Sequence, residues 1–161
     1  MIQLPYTFEI DGERVGVFTI TFVEDRIEQR VRFAQGDQIV DSRFELRVRG
    51  GALLAFRVGG GEWVGMEGFP DDAYPGSAFV LLMSEVGERP FVYQRINESS
   101  ATVEGWYSLE RDGDQVTERD RERVTRRFWL GDKERLVRID WGMAESHLCA
   151  TLEEAREGTV V

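Results

Sequence analysis

The sequence predicts a mainly β fold, a single curved antiparallel sheet with one short helix in the middle of the chain. Three observations support this. Apolar and polar residues alternate one by one over most of the chain, turn-forming dipeptides recur between these segments, and one central segment is continuously apolar. The pattern gives about nine to ten strands, and a sheet of that size must curl, close or pack on another layer. We therefore expect either a barrel or a half-barrel around the helix.

Residues 2–67 are predicted to form a first β meander. Phe8 and Ile10 lead into Asp11-Gly12, a strong hairpin dipeptide. The clearest strand covers residues 40–49, where apolar or small side chains such as Phe44 alternate with charged ones. Such alternation is typical of a sheet with one dry face and one wet face.

Residues 68–90 are predicted to hold a loop and the short helix. The turn formers are dense in residues 68–76. Residues 78–86 are almost continuously apolar, which suits a buried strand or a short helix. We favour the helix because Leu81, Leu82 and Met83 are good helix formers and Ser77 is placed to cap it.

Residues 91–151 are predicted to form a second meander, and residues 152–161 a tail. One strand is expected at residues 91–96, another over residues 116–130 as a single long segment, and a last one at residues 147–151. A chain of 161 residues without linkers is expected to form one domain, spanning residues 1–161.

The net charge of −10 makes nucleic acid and anionic membranes poor partners, because such a surface repels phosphate. Met1 leads directly into the first strand without the features of a signal peptide, and no apolar run is long enough to cross a bilayer. We therefore expect a cytoplasmic location. One cysteine and one histidine exclude a disulfide within the chain and a metal site built from several histidines or thiolates, so no metal or cofactor is expected.

The layout is similar to a broad group of bacterial half-barrel β proteins that includes lipoprotein-carrier-like proteins. The similarity lies in an aromatic first strand at Tyr6-Thr7-Phe8-Glu9-Ile10, a glycine-containing hairpin strand at Arg14-Val15-Gly16, a proline-containing loop at Tyr74-Pro75-Gly76-Ser77 before the helix, and a late strand ending in Ile139-Asp140-Trp141. The resemblance implies a concave apolar surface that holds a lipid or another hydrophobic ligand.

The only histidine offers the one candidate for acid–base catalysis. On a strand, His147 shares a face with Glu145, a carboxylate that would orient the imidazole, whereas Ser146 points to the opposite face. A surface or hydrogen-bonded histidine explains the same pattern more simply. We therefore assign no catalytic residue.

Three acids at alternate positions, Glu118, Asp120 and Glu122, share one face of an extended segment. Oxygen ligands in this arrangement suit a cation, but the glycine-rich turn of a calcium loop is absent. The simpler interpretation is an exposed strand whose charges prevent pairing with other chains.

Several aromatic residues carry polar atoms that need partners when buried. On a half-barrel, Tyr93, Tyr107 and Trp141 would line a concave pocket, with Arg95 supplying a positive group for an acidic ligand. The alternative is that these side chains simply fill the core.

Three functional hypotheses follow. The first is a non-catalytic domain that binds an apolar or amphipathic small molecule on the concave face. The second is a protein-interaction module, for example a homodimer formed through an unpaired sheet edge. The third and weakest is a hydrolase or isomerase centred on His147.

Overall fold

The protein is described here from a computed structural model that covers residues 1–161. The first half of the chain forms six consecutive antiparallel strands: β1 (Ile2–Ile10), β2 (Glu13–Val23), β3 (Arg26–Gln35), β4 (Gln38–Arg49), β5 (Ala52–Val58) and β6 (Val64–Gly65). The turn at Asp11-Gly12 lies where the sequence predicts it, and both residues have positive φ angles, as a tight hairpin requires.

The second half contributes seven further strands: β7 (Ala73–Pro75), β8 (Phe91–Asn97), β9 (Thr102–Asp112), β10 (Gln115–Asp120), β11 (Arg123–Leu130), β12 (Leu136–Asp140) and β13 (Glu145–His147). Two short helices complete the fold. Helix α1 (Phe79–Leu82) lies between β7 and β8, and helix α2 (Leu152–Arg156) follows β13.

All thirteen strands belong to one open sheet, in the order β6-β5-β4-β3-β2-β1-β13-β12-β11-β10-β9-β8-β7. The two halves of the chain meet where β1 pairs with β13. Every pairing is antiparallel except that of β7 with β8, which is parallel. The sheet is therefore mixed, and its strand count exceeds the nine to ten expected from the sequence.

The sheet is strongly curved, as its connectivity requires. Its two edge strands, β6 and β7, are joined only by residues 66–72, which span at most about 30 Å when fully extended. Thirteen flat strands at ordinary spacing would separate the two edges by about 55–60 Å. The edges can be joined by so short a connection only if the sheet curls around its concave face.

A helical segment, residues 76–86, lies in the concave face, and we call it the strap. It consists of α1 flanked by single 3₁₀ turns at Gly76–Ala78 and Met83–Glu85. Phe79, Leu82 and Val86 of the strap are buried in the main hydrophobic cluster, together with residues from both halves of the sheet. The predicted short central helix is thus confirmed.

Three local predictions are wrong. Ser77 does not cap α1, because its hydroxyl binds the Glu98 carboxylate instead. The expected long strand at residues 116–130 is divided into β10 and β11 by a tight turn at Arg121 and Glu122, where Arg121 adopts a positive φ angle. The last strand is residues 145–147 rather than 147–151.

Neither α-helix in the chain has both the length and the apolar character needed to cross a membrane.

Candidate functional site

The concave face encloses a cavity of about 580 Å³ between the strap and the sheet. This volume lies in the range of pockets that hold small organic ligands. Glu104, Arg123 and Met143 line the cavity and are also exposed, Met143 to 80% of its surface, so the cavity opens to solvent beside them. A small molecule can therefore enter without unfolding of the sheet.

The two sides of the cavity differ in chemistry. The side formed by the first four strands is mostly apolar, with Phe8, Phe18, Val31 and Phe44, and β3 adds the polar residues Gln29 and Arg30. The opposite side presents polar and charged groups from β8 and β11 and the turns near them, listed as Arg95, Glu98, Arg123, Thr125 and Arg126. Phe79 of the strap, Tyr107 and Trp141 lie among the lining residues as well. The cavity is amphipathic.

A buried charge cluster of five residues forms the base of the charged side: Tyr93, Arg95, Glu118, Thr125 and Arg126. Its centre is Glu118, whose side chain is fully buried. The guanidinium of Arg126 binds it in a fork, with Nε 2.8 Å from Oε1 and Nη2 2.7 Å from Oε2. Such bidentate pairs are among the strongest charge-assisted hydrogen bonds.

Three further donors complete the surroundings of the Glu118 carboxylate. The Tyr93 hydroxyl donates to Oε2 at 2.5 Å, the Thr125 hydroxyl donates to Oε1 at 2.9 Å, and Arg95 Nη1 donates to Oε1 at 3.2 Å. Burial by itself would raise the pKa of Glu118, but Arg126 and Arg95 together with these hydrogen bonds lower it to about 2. The carboxylate is therefore ionised at neutral pH although it is buried.

A second carboxylate, Glu98, connects the charged side to the strap. It accepts hydrogen bonds from the Ser77 backbone N–H at 3.1 Å and from the Ser77 hydroxyl at 2.5 Å. Gln29 on β3 donates to the Ser77 carbonyl at 2.6 Å, and Arg126 donates to the Gly76 carbonyl at 3.0 Å. The start of the strap is thus held by side chains from both halves of the sheet.

The structure brings most of the four predicted pocket residues to the cavity. Arg95, Tyr107 and Trp141 line it, and the Arg95 guanidinium lies 4.9 Å from the centre of the Tyr107 ring. Tyr93 does not reach the cavity, because its side chain is buried behind the lining and its hydroxyl is bound to Glu118. A ligand-binding role for these residues remains a prediction.

The interpretation of the three acids on one face is wrong. Strand β10 is not an exposed edge, since it pairs with β9 on one side and β11 on the other. Glu118 faces the interior and its oxygens are taken by arginine, tyrosine and threonine. Sequence reasoning missed Glu118 and Arg126 as site residues. A two-residue turn at residues 121–122 would by itself pair position 118 with position 125, and a register shift between Glu118 and Arg119 brings it opposite Arg126 instead, so no sequence signal identifies this pair.

The candidate catalytic pair lies outside the cavity. His147 Nε2 is 3.3 Å from Glu145 Oε2 and 3.7 Å from Glu9 Oε2, and the His147 side chain is 44% exposed. Ser146 is buried on the opposite face, where its hydroxyl accepts a hydrogen bond from Trp141 Nε1. The predicted arrangement of the three residues is confirmed, and it places no nucleophile beside the imidazole.

The lowered pKa of Glu118 predicts how the stability depends on pH. A carboxylate with a lower pKa in the folded state stabilises the protein above its ordinary pKa of 4.5, and this stabilisation is lost as the pH falls towards 2. We expect the difference in unfolding free energy between the wild type and Glu118→Gln to shrink across this range. Urea denaturation at a series of pH values measures it, and a difference that stays constant with pH would contradict the assignment.

Comparisons of this chain with protein-family models, with curated proteins and with solved structures find no match.

Proposed function

We propose that this domain binds an amphipathic small molecule in the cavity of its concave face, with the open sheet acting as a half-barrel container. The single observation that carries the proposal is the division of one cavity of about 580 Å³ into an aromatic side and a charged side. Binding pockets typically combine a mostly apolar lining with a few placed polar groups.

The apolar part of the lining favours filling the cavity with a ligand rather than with water. Phe8, Phe18 and Phe44 present apolar surface to the cavity, and covering such surface gains about 25 cal/mol per Å². The charge cluster, in contrast, is already ordered by its own hydrogen bonds, so it needs no rearrangement to meet a polar group. The ligand is thus expected to have an apolar part and a polar part.

Other hypotheses have less support. A homodimer through a sheet edge remains a prediction, and the edge strands β6 and β7 offer only two and three residues for pairing. A reaction centred on His147 would have to take place outside the cavity. The resemblance to lipoprotein-carrier-like half-barrels also remains a prediction, and it agrees with a ligand in the concave face.

A blocking substitution tests the proposal. Val31 lines the cavity from β3, and Val31→Trp is expected to fill part of it and weaken binding of the neutral fluorophore N-phenylnaphthylamine about tenfold or more. The measurement is the blue-shifted fluorescence of the probe during titration with protein.

The matched control is Arg32→Trp, which adds the same ring at the next residue. Arg32 lies on the opposite face of β3, beside Asp41, and does not line the cavity. The affinity of Arg32→Trp for the probe should equal that of the wild type. Absence of probe binding by the wild type, or equal weakening by both variants, would overturn the proposal.

A further inference from the structure

The charge cluster contains two arginines, Arg95 and Arg126, and they differ in how many of their hydrogen-bond donors the protein itself uses, whereas Arg123, the third arginine of the charged side, is exposed at the opening of the cavity. Every nitrogen of Arg126 has a protein acceptor: Nε and Nη2 bind Glu118, and Nη1 binds the Gly76 carbonyl. Its guanidinium also lies over the rings of Phe79 and Phe128, and its side chain is only 8% exposed. Arg126 is therefore held mainly by the protein itself.

Arg95 is different. Its only hydrogen bond within the protein runs from Nη1 to Glu118 Oε1, at the long distance of 3.2 Å, so Nε and Nη2 have no protein acceptor. The side chain lines the cavity and is 21% exposed. A guanidinium carries five N–H donors in a planar fork that matches the two oxygens of a carboxylate. We propose, resting on the ligand-binding function above, that the ligand is an amphiphile with a single carboxylate and that Arg95 binds this group.

The charge of the surroundings supports a single negative charge on the ligand. Within the charge cluster, Glu118 compensates one of the two arginines, which leaves the equivalent of one positive charge at the base of the cavity, while Arg123 and Glu104 bring opposite charges to its opening. Glu98 is the next carboxylate, and burial raises its pKa, although hydrogen bonds from Ser77 oppose this. A monoanion matches this balance. A phosphate ester, with a charge close to −2, would be repelled by the nearby carboxylates.

The backbone of the strap leaves room for this contact. A Cβ atom added to Gly76 would lie 2.8 Å from Arg95 Nη2, so the missing side chain at this position leaves space beside the guanidinium. From Arg95, the ligand's apolar part would extend towards Phe8, Phe18 and Phe44 on the opposite side. The expected ligand class is therefore a fatty acid or another monocarboxylic amphiphile.

Displacement of N-phenylnaphthylamine by three ligands with the same alkyl chain tests the inference: dodecanoate, dodecanol and dodecyl phosphate. The wild type is expected to bind dodecanoate about tenfold tighter than dodecanol, because a hydrogen-bonded ion pair adds to the apolar contact. It should also bind dodecanoate tighter than dodecyl phosphate. Arg95→Met should remove the preference for dodecanoate, so that dodecanoate and dodecanol bind this variant with about equal affinity.

Two further variants make the result specific. Arg138→Met removes an arginine of β12 that pairs with Glu145 outside the cavity, and it should bind all three ligands like the wild type. Arg95→Lys keeps the charge without the fork and should retain an intermediate preference for dodecanoate. It also keeps the inference testable if Arg95→Met fails to fold in a thermal melt.

The outcomes separate the inference from the proposed function. If neither the fluorophore nor any of the three alkyl ligands binds, the ligand-binding function itself is wrong. If dodecanol binds as tightly as dodecanoate, or if Arg95→Met keeps the preference for dodecanoate, the function stands and the carboxylate inference is wrong. If dodecyl phosphate binds tightest, the cavity is a phosphate site and the inference is likewise wrong.

Discussion

Replacing Glu118 with glutamine is expected to lower the free energy of unfolding by about 3–5 kcal/mol, the usual result of removing one partner of a buried ion pair. The loss arises because Arg126 stays buried and charged while its counter-ion is gone. For a domain of this size we expect the melting temperature to fall by about 10 °C. Thermal and urea denaturation followed by circular dichroism measure both quantities.

The matched control is Glu110→Gln. Glu110 lies on the neighbouring strand β9, is 52% exposed and pairs with Arg119 at 3.2 Å. An exposed pair of this kind contributes about 0–1 kcal/mol, so the control should unfold almost like the wild type. The double variant Glu118→Gln/Arg126→Met should recover part of the loss, because it removes the uncompensated charge. Equal stability of Glu118→Gln and the wild type would contradict the role assigned to Glu118.

The second large effect is expected at the strap. Phe79→Ala should cost about 3–5 kcal/mol, because it removes a buried aromatic side chain and leaves a cavity. Phe79 is 1% exposed, its ring stacks on Phe128 at a centroid distance of 5.1 Å, and it meets Trp141 edge-on at 5.6 Å. Urea denaturation measures the loss.

Val80→Ala is the control for the strap. Val80 follows Phe79 in the same helix but is only half-buried, so its truncation should cost about 1 kcal/mol or less. If the two variants lose the same stability, the strap is not anchored through Phe79.

The alternation in the sequence predicted the sheet well where strands are long. In β3 and β4, Val31 and Phe44 face the cavity while Arg32 and Arg43 face the outside, as the one-residue period requires. The strand count was too low because β10 and β11 were taken as one strand and because β7, which lies in the predicted loop, has only three residues. A segment so short shows no alternation of apolar and polar residues.

The turn at Arg121 and Glu122 was missed because neither residue is typical of turns, yet Arg121 adopts a positive φ angle. As a consequence, β10 and β11 were taken as one strand, and the hairpin that joins Glu118 to Arg126 was not visible. A charged residue in an alternating segment also predicts a wet face, whereas Glu118 lies on the dry one. The burial of Glu118 is explained by its ion pair with Arg126, eight residues later in the chain, and the sequence spacing alone does not identify that partner.

Three of the four pocket residues proposed from the sequence line the cavity: Arg95 and Tyr107 lie on β8 and β9, where the alternation is regular, and Trp141 directly follows β12. Tyr93 lies on the same face as Arg95, but the hydroxyl of Tyr93 is hydrogen-bonded to the Glu118 carboxylate within the charge cluster. The strap's position across the concave face depends on contacts from distant strands, such as Gln29 to Ser77, which no local pattern predicts.

We propose that the cavity in the curved sheet holds one amphipathic molecule, and native mass spectrometry of this chain measures its occupancy. After incubation with dodecanoate, the wild type should carry a single ligand that is lost on denaturation, whereas Val31→Trp should need about tenfold more dodecanoate or more for the same occupancy. A wild-type chain that stays bare at every dodecanoate concentration, or a Val31→Trp variant with the same occupancy as the wild type at each concentration, would show that the cavity does not hold the ligand.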